Sequence, residues 1–287
     1  MKKRIITAVV AICILIPVLI FADTVLLPIG LAVCSVFAVY EMLSCIGLKK
    51  SVAVSFPFYI CAAGLPFLLR YLGNGRLALT LRICFAAATV TVLYLFAVQI
   101  FSNGRYQPGQ IGMAYMSLLY VLIGFSGILY VHDFAAGNEG KYVYLLIFIG
   151  AWVTDTFAYF CGMLFGRGGK HKLAPQISPK KTVEGCIGGI IFCVAAMVIY
   201  GIVLKRMQSD LRVDIWFLAL SGVVVSAVAQ IGDLSLSVIK RHYGIKDYGW
   251  IFPGHGGILD RFDSVIAVSA VLTVLSSFTP FFERIGQ

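Results

Sequence analysis

"GCIGGIIFCVAAMVIYGIVL", residues 185–204, is a run of twenty residues without a charge. Coiled as a helix it measures about 30 Å, the thickness of the hydrocarbon core of a bilayer. It reads as one membrane-spanning helix, and runs of the same character recur at about 5–22, 25–47, 52–70, 80–101, 111–131, 143–163, 214–233 and 263–282. The weakest are the third and fourth, which Pro57, Pro66, Arg70 and Arg82 interrupt or edge, so that either is open to being re-entrant or shifted.

Composition agrees. The 287 residues are 60% hydrophobic and only 13% charged, against about 25% charged in an ordinary soluble domain, and the mean hydropathy is +0.93. The expected fold class is therefore all-α: a polytopic integral membrane protein of about nine transmembrane helices. Little chain is left for a soluble domain, so chemistry must sit in short loops and helix ends. The opening MKKR before an apolar run resembles a signal peptide, but without a clear cleavage site it reads as a retained first helix.

The net charge of +10 does not indicate nucleic acid, because the basic residues are scattered between apolar helices rather than gathered on one polar domain. With a cytoplasmic N-terminus, 15 of the 23 Lys and Arg residues fall on that side, which supports the orientation. The eight Cys all lie in apolar runs, without CxxC or metal-ligand spacing, and read as small buried side chains.

Polar content divides the chain into an N-terminal transmembrane scaffold, 1–140, and a C-terminal transmembrane catalytic region, 141–287. Residues 1–150 hold only Asp23, Glu41, Asp133 and Glu139 as acids, and none of these joins a constellation. Two long polar loops, at about 164–184 and 234–262, fall on the cytoplasmic side in the second half.

Four segments there carry chemistry. If the eighth helix continues past the membrane surface, Asp233, Ser237, Lys240 and Arg241 fall at i, i+4, i+7 and i+8 on one face. A solvated helix end would also show Lys and Arg, but an acid at the inner edge of an apolar run is costly unless paired or metal-bound. In "GHGGILDRFDS", residues 254–264, the glycines permit a tight turn and close approach of an anion. Asp260 and Asp263, at i and i+3, form with Arg261 and His255 the carboxylate and cation set that Mg²⁺ prefers when it also carries phosphates. Either acid alone is an ordinary complement to a helix dipole. The third segment, 166–185, combines glycines with Arg167, Lys170, Lys172, Ser178, Lys180, Lys181 and Thr182 as a mobile cationic loop suited to phosphates, though it lacks P-loop spacing. Thr182 and Glu184 also look like the cap and first turn of the seventh helix. Asp155, inside the sixth helix, is a functional candidate because of its depth. Glu41, His132, His171 and His242 receive no role.

Residues 237–263, "SVIKRHYGIKDYGWIFPGHGGILDRFD", resemble the signature of the phosphatidate cytidylyltransferases. Its fixed positions are matched by Ser237, Lys240, Arg241, Lys246, Asp247, Pro253, His255, Gly256, Gly257, Asp260, Arg261 and Asp263. "GDL" at 232–234, "SPKKTVEG" at 178–185 and "DTFAYFCG" around Asp155 are also similar to the family, with Val183 where Trp is common. The resemblance implies an inner-membrane enzyme, its site facing the cytoplasm, that joins CTP to phosphatidic acid and releases pyrophosphate. It implies a divalent cation, Mg²⁺ with Mn²⁺ as an alternative, leaves room for a monovalent ion such as K⁺, and points to a homodimer among membrane lipids. On that basis Asp233 and Asp260 are the expected metal ligands, with Asp263 as a third or as a partner of one. Lys240, Arg241, Lys246 and Arg261 would hold the triphosphate, and His255 would reach a phosphate oxygen or orient a ligand. Ser178, Lys180, Lys181 and Thr182 would clamp a phosphate, Ser237, Asp247, Gly256 and Gly257 would line the substrate site, and Asp155 would order it. A transporter would instead show repeated halves with paired broken helices. A CTP-dependent polyprenol kinase would use similar groups but release CDP.

Overall fold

A computed structural model describes residues 2–134, 139–166, 171–254 and 256–284, with the backbone alone at 2–6, 8 and 74. The described helices are α1 (Lys2–Ile20), α2 (Leu26–Ile46), α3 (Val52–Phe67), α4 (Gly73–Phe101), α5 (Pro108–Phe134), α6 (Gly140–Val143), α7 (Leu145–Phe165), α8 (Val183–Met207), α9 (Ile215–His242) and α10 (Leu259–Phe278). Four short strands accompany them: β1 (Lys172–Ala174), β2 (Ser178–Thr182), β3 (Leu211–Val213) and β4 (Phe282–Arg284). Among the described residues eight helical segments are long and apolar enough to cross a membrane, and Val9–Ile20 is a shorter apolar helix. The all-α polytopic architecture expected from the sequence is the observed one.

Boundaries differ where polar residues misled. The fourth span begins near Gly75 rather than 80, because Arg76 and Arg82 are good helix formers whose long stems reach outward from an unbroken helix. Between the third and fourth spans, Pro66 removes a ladder hydrogen bond and a π-helical turn follows at Leu68–Leu72. There the Arg70 guanidinium donates to the carbonyls of Ala22 and Thr24, which fixes this corner. α9 runs on to His242, well past 233. α10 lies at 259–278 instead of 263–282, since Pro280 cannot continue a helix, and the residues beyond it pair with β3 as an antiparallel ribbon, Val213 opposite Phe282.

The chain forms two compact units, residues 1–129 with 243–261 and residues 130–242 with 262–287. They interleave in sequence and describe packing, a property distinct from the functional division read at 140. In the first, α2 packs on α1 and α3, with Met42, Leu43, Phe58 and Phe125 wholly buried. α4 leaves most of its apolar surface outward, with Phe85 76% and Ile100 71% exposed, as suits a helix solvated by lipid rather than water.

In the second unit α7, α8 and α9 pack against one another. Their backbones approach closely because glycines line the contacts: a Cβ at Gly188 would fall 2.4 Å from Cβ of Cys161 on α7, and one at Gly222 would fall 2.9 Å from Cα of Val194 on α8. This is how helices associate where lipid tails are as apolar as leucine. The start of α8 is set by Thr182, whose Oγ1 accepts the Gly185 amide at 3.1 Å, so the predicted cap is present. At the other end of this unit the Arg284 Nε donates to Glu139 Oε1 at 2.5 Å.

Candidate active site

The extension of α9 past its apolar stretch puts Asp233, Ser237 and Lys240 on one helix face, as their spacing predicts. Ser237 Oγ donates to Asp233 Oδ1 at 3.4 Å. Ser237 and Lys240 are both buried. Beside them stands not a loose loop but a hairpin, β1 paired antiparallel with β2, Lys172 opposite Thr182 and Ala174 opposite Ser178. Side chains alternate along a strand, so Lys180 is exposed while Lys181 is half-buried and places its Nζ 2.6 Å from Asp233 Oδ2. Arg241 Nε donates to the Ile177 carbonyl at 3.2 Å and ties the hairpin turn to α9. Arg167 and Lys170, expected in the same cationic segment, lie outside the described residues.

Two further helices bring acids to this place. From α7, Asp155 Oδ2 accepts the Ser264 hydroxyl at 2.7 Å. From α10, Asp263 Oδ1 accepts the Ser264 amide at 2.9 Å. The Asp263 carboxylate stands in electrostatic reach of Asp233, Asp155 and Lys240. The second unit thus gathers three carboxylates against two ammonium groups, Lys181 and Lys240. Like charges at half-buried positions repel strongly, because the surroundings screen them far less than water does. The set is therefore suited to an added cation.

Among the described residues no three His, Cys, Asp or Glu side chains stand as a formed metal cage. A cage is not what Mg²⁺ needs: it commonly takes one or two carboxylates and completes its shell with water and substrate phosphates. Asp233 and Asp263 carry hard oxygen donors of the kind such an ion takes.

The rest of the predicted site belongs to the first unit, in the loop from Tyr243 to the start of α10. It turns through Gly254 and Gly256 at φ 80° and 86°, the left-handed region that glycine occupies without strain, and closes on itself where the Phe252 amide donates to the Gly256 carbonyl at 2.9 Å. Asp260 Oδ2 accepts two loop amides, Tyr248 at 2.7 Å and Gly257 at 2.9 Å, so this carboxylate holds the loop's shape. Lys246, Asp247 and Arg261 are exposed. His255 lies outside the described residues. Asp233 and Asp260, the two metal ligands expected first, thus fall in different units, and the acids brought together within one unit are Asp155, Asp233 and Asp263.

Sequence reasoning passed over Glu41. It is fully buried in α2, and its carboxylate accepts the amides of Ile258 and Leu259, each at 2.9 Å. The signal was present, since an acid inside a span demands a partner; the partner lies 217 residues away in sequence and no local pattern names it. Ser264 was passed over too, being an ordinary hydroxyl until Asp155 is seen beside it. His171 pairs with Glu184 and His132 with Asp133, each at 2.7 Å.

Comparison with known proteins agrees with these features. A family model described as the cytidylyltransferase family matches residues 2–279. The phosphatidate cytidylyltransferase of Staphylococcus haemolyticus (strain JCSC1435) is 34% identical over 275 residues, covering 96% of this chain and 98% of its own. That of Staphylococcus aureus (strain COL) is 35% identical over 280 residues with the same coverage. Acids, lysines and a glycine-turned loop at the ends of membrane helices, in a match that runs nearly end to end, place this chain in the cytidylyltransferase family, as a membrane-embedded nucleotidyltransferase.

Proposed function

We propose that the protein transfers CMP from CTP to phosphatidic acid, giving CDP-diacylglycerol and pyrophosphate, with Mg²⁺ as the divalent cation. The observation that carries this is the cluster of Asp155, Asp233 and Asp263 with Lys181 and Lys240 at the end of membrane helices. It is the equipment needed to bring one polyanion to another beside a lipid phase, and the relatives' names supply the lipid.

The acceptor phosphate is largely dianionic near neutral pH, its second pKa being about 6. It is already a nucleophile, and no strong general base is required. One of its oxygens forms a bond to the α-phosphorus of CTP. The bond from that phosphorus to the α,β-bridging oxygen breaks, and its electron pair leaves with pyrophosphate. Repulsion between the anions is the obstacle, and neutralisation with alignment for in-line attack is the remedy. Lys240, Arg241, Lys246 and Arg261 hold the triphosphate, while Lys181 and its neighbours Ser178, Lys180 and Thr182 clamp a phosphate from the hairpin. Ser237, Asp247, Gly256 and Gly257 line the nucleotide's place, and His255 reaches a phosphate oxygen. Asp233 and Asp263, with Asp260 where the loop presents it, are the residues to hold the cation, which when bound supplies charge neutralisation at the phosphates. Asp155 orients Asp263 through Ser264. A second, monovalent ion and a homodimer belong to the same proposal.

The test is purified protein with CTP, Mg²⁺ and phosphatidate. Pyrophosphate release in step with a lipid-linked CMP is the expected result. Release of CDP, with the terminal phosphate passed to an acceptor alcohol, would identify a kinase instead.

A further inference from the structure

The N-terminus of α10 lies one residue from Asp260, so whatever fixes that terminus fixes where this acid leaves the helix. The first amides of a helix have no partner within it. Here three consecutive amides leading into α10, the last of them its first helical amide, are taken by two carboxylates: Gly257 by Asp260, and Ile258 and Leu259 by Glu41. Glu41 is 1% exposed, and the loop is shaped around it. A Cβ at Gly257 would fall 2.1 Å from Glu41 Oε1, and one at Gly249 would fall 2.3 Å from the same atom. The glycine of the motif is therefore required by a carboxylate from another helix as much as by any ligand.

We infer that Glu41 is a positioning residue for the nucleotidyl-transfer site: by gripping the Ile258 and Leu259 amides from α2, it sets the start of α10 and with it the direction of the Asp260 carboxylate. A carboxylate does this better than any neutral side chain. It presents two acceptor oxygens with the spacing of adjacent amides, and its charge complements the positive end of the helix. Isolation in an apolar span makes the contact strong, because neither partner has water as an alternative. The inference rests on the proposed reaction for its kinetic consequence but not for the contact itself.

The experiment uses Glu41→Gln, which keeps the volume but turns one acceptor into a donor facing an amide, with Glu41→Asp as the variant that retains the charge. Amide hydrogen exchange of the peptide covering 257–259, in detergent-solubilised full-length protein, reads the contact. In Glu41→Gln it should rise about tenfold or more above wild type while the rest of the chain is unchanged. In the transfer assay kcat should fall about tenfold or more, because small misplacements remote from the chemistry can cost about 100-fold, while KM for CTP and for phosphatidate stays within about twofold. Glu41→Asp should recover part of both the exchange protection and kcat. A Glu41→Gln protein with wild-type kcat, or a loss in kcat with 257–259 still protected, overturns the inference. So does a uniform rise in exchange across the chain in both variants, which would make Glu41 a fold-wide prop. Wild-type protein that does not convert phosphatidate would defeat the proposed function instead, and the exchange of 257–259 in the two variants would still decide whether Glu41 holds the helix start.

Discussion

Asp263 feels the charges of Asp233 and Asp155 as well as that of Lys240, and a site with more acids than lysines is held together against its own repulsion. Groups arranged this way serve the ligand rather than the fold. Asp263→Asn keeps an oxygen for the Ser264 amide and removes one of the three mutually repelling acids. It should therefore raise the unfolding midpoint in detergent, without added metal, by about 2–4 °C, the shift that about 1 kcal/mol produces in a chain of this size, while abolishing pyrophosphate release. A variant that unfolds earlier than wild type, or that keeps full turnover, contradicts this account. Most of these side chains were legible beforehand. Asp155, Asp233 and Asp263 announce themselves as acids in or beside apolar runs, where an unexplained charge is expensive. Their partners were not. Lys181 was read as a phosphate clamp, and only the strand shows that its ammonium meets Asp233. Glu41 was seen and left unassigned, because the amides it binds lie at the far end of the sequence.

Elements built from apolar periodicity were legible, and elements built from a few polar residues were not. α9 could be extended past the membrane on paper because Asp233, Ser237 and Lys240 repeat at helical spacing, and the helix does run to His242. The β1–β2 hairpin was read as a mobile loop. Strands of three and five residues made mainly of Lys, Ser, Pro and Thr show no alternation of apolar residues to betray them. The closeness of α7 and α8 is also invisible in a hydropathy trace, since a glycine at a helix contact counts there only as weakly apolar. Its weight can be tested at Gly188. A methyl group placed there meets Cys161 at 2.4 Å, so Gly188→Ala must push α8 from α7, the helix that carries Asp155. Such overpacking costs about 1–3 kcal/mol, and the unfolding midpoint should drop by several degrees with turnover reduced. Gly64→Ala is the control: it finds no atom within 4 Å of its new Cβ, and it should change neither. Equal behaviour of the two variants would mean that the α7–α8 contact does not hold the acids in place.

At the scale of the whole chain, the proposed joining of a nucleotide to a lipid requires the site to open to water on the side where the nucleotide is found. Read as nine spans, the sequence puts 15 of its 23 basic residues on the side of the N-terminus, and on the positive-inside rule we propose that this side is cytoplasmic. Within the second unit the hairpin and the end of α9 share one end of the helices, since Arg241 reaches the Ile177 carbonyl. Helices α8 and α9, two spans in succession, return the chain to the end from which it left. Lys172, Lys180, Lys181, Lys240 and Arg241 therefore all lie at the same end of the second unit, which we propose is the cytoplasmic one on the positive-inside count. CTP carries several negative charges and does not cross a bilayer unaided. Sealed inverted vesicles from a bacterium producing the protein should thus form CDP-lipid from added CTP at about tenfold or more the rate of sealed right-side-out vesicles. Permeabilising the latter should erase the difference. Equal rates in the two sealed preparations, with intactness verified by a trapped marker, would place the acids and lysines on the wrong side for a cytoplasmic nucleotide. The orientation, and with it the assignment of the basic loops to phosphate binding, would have to be reversed.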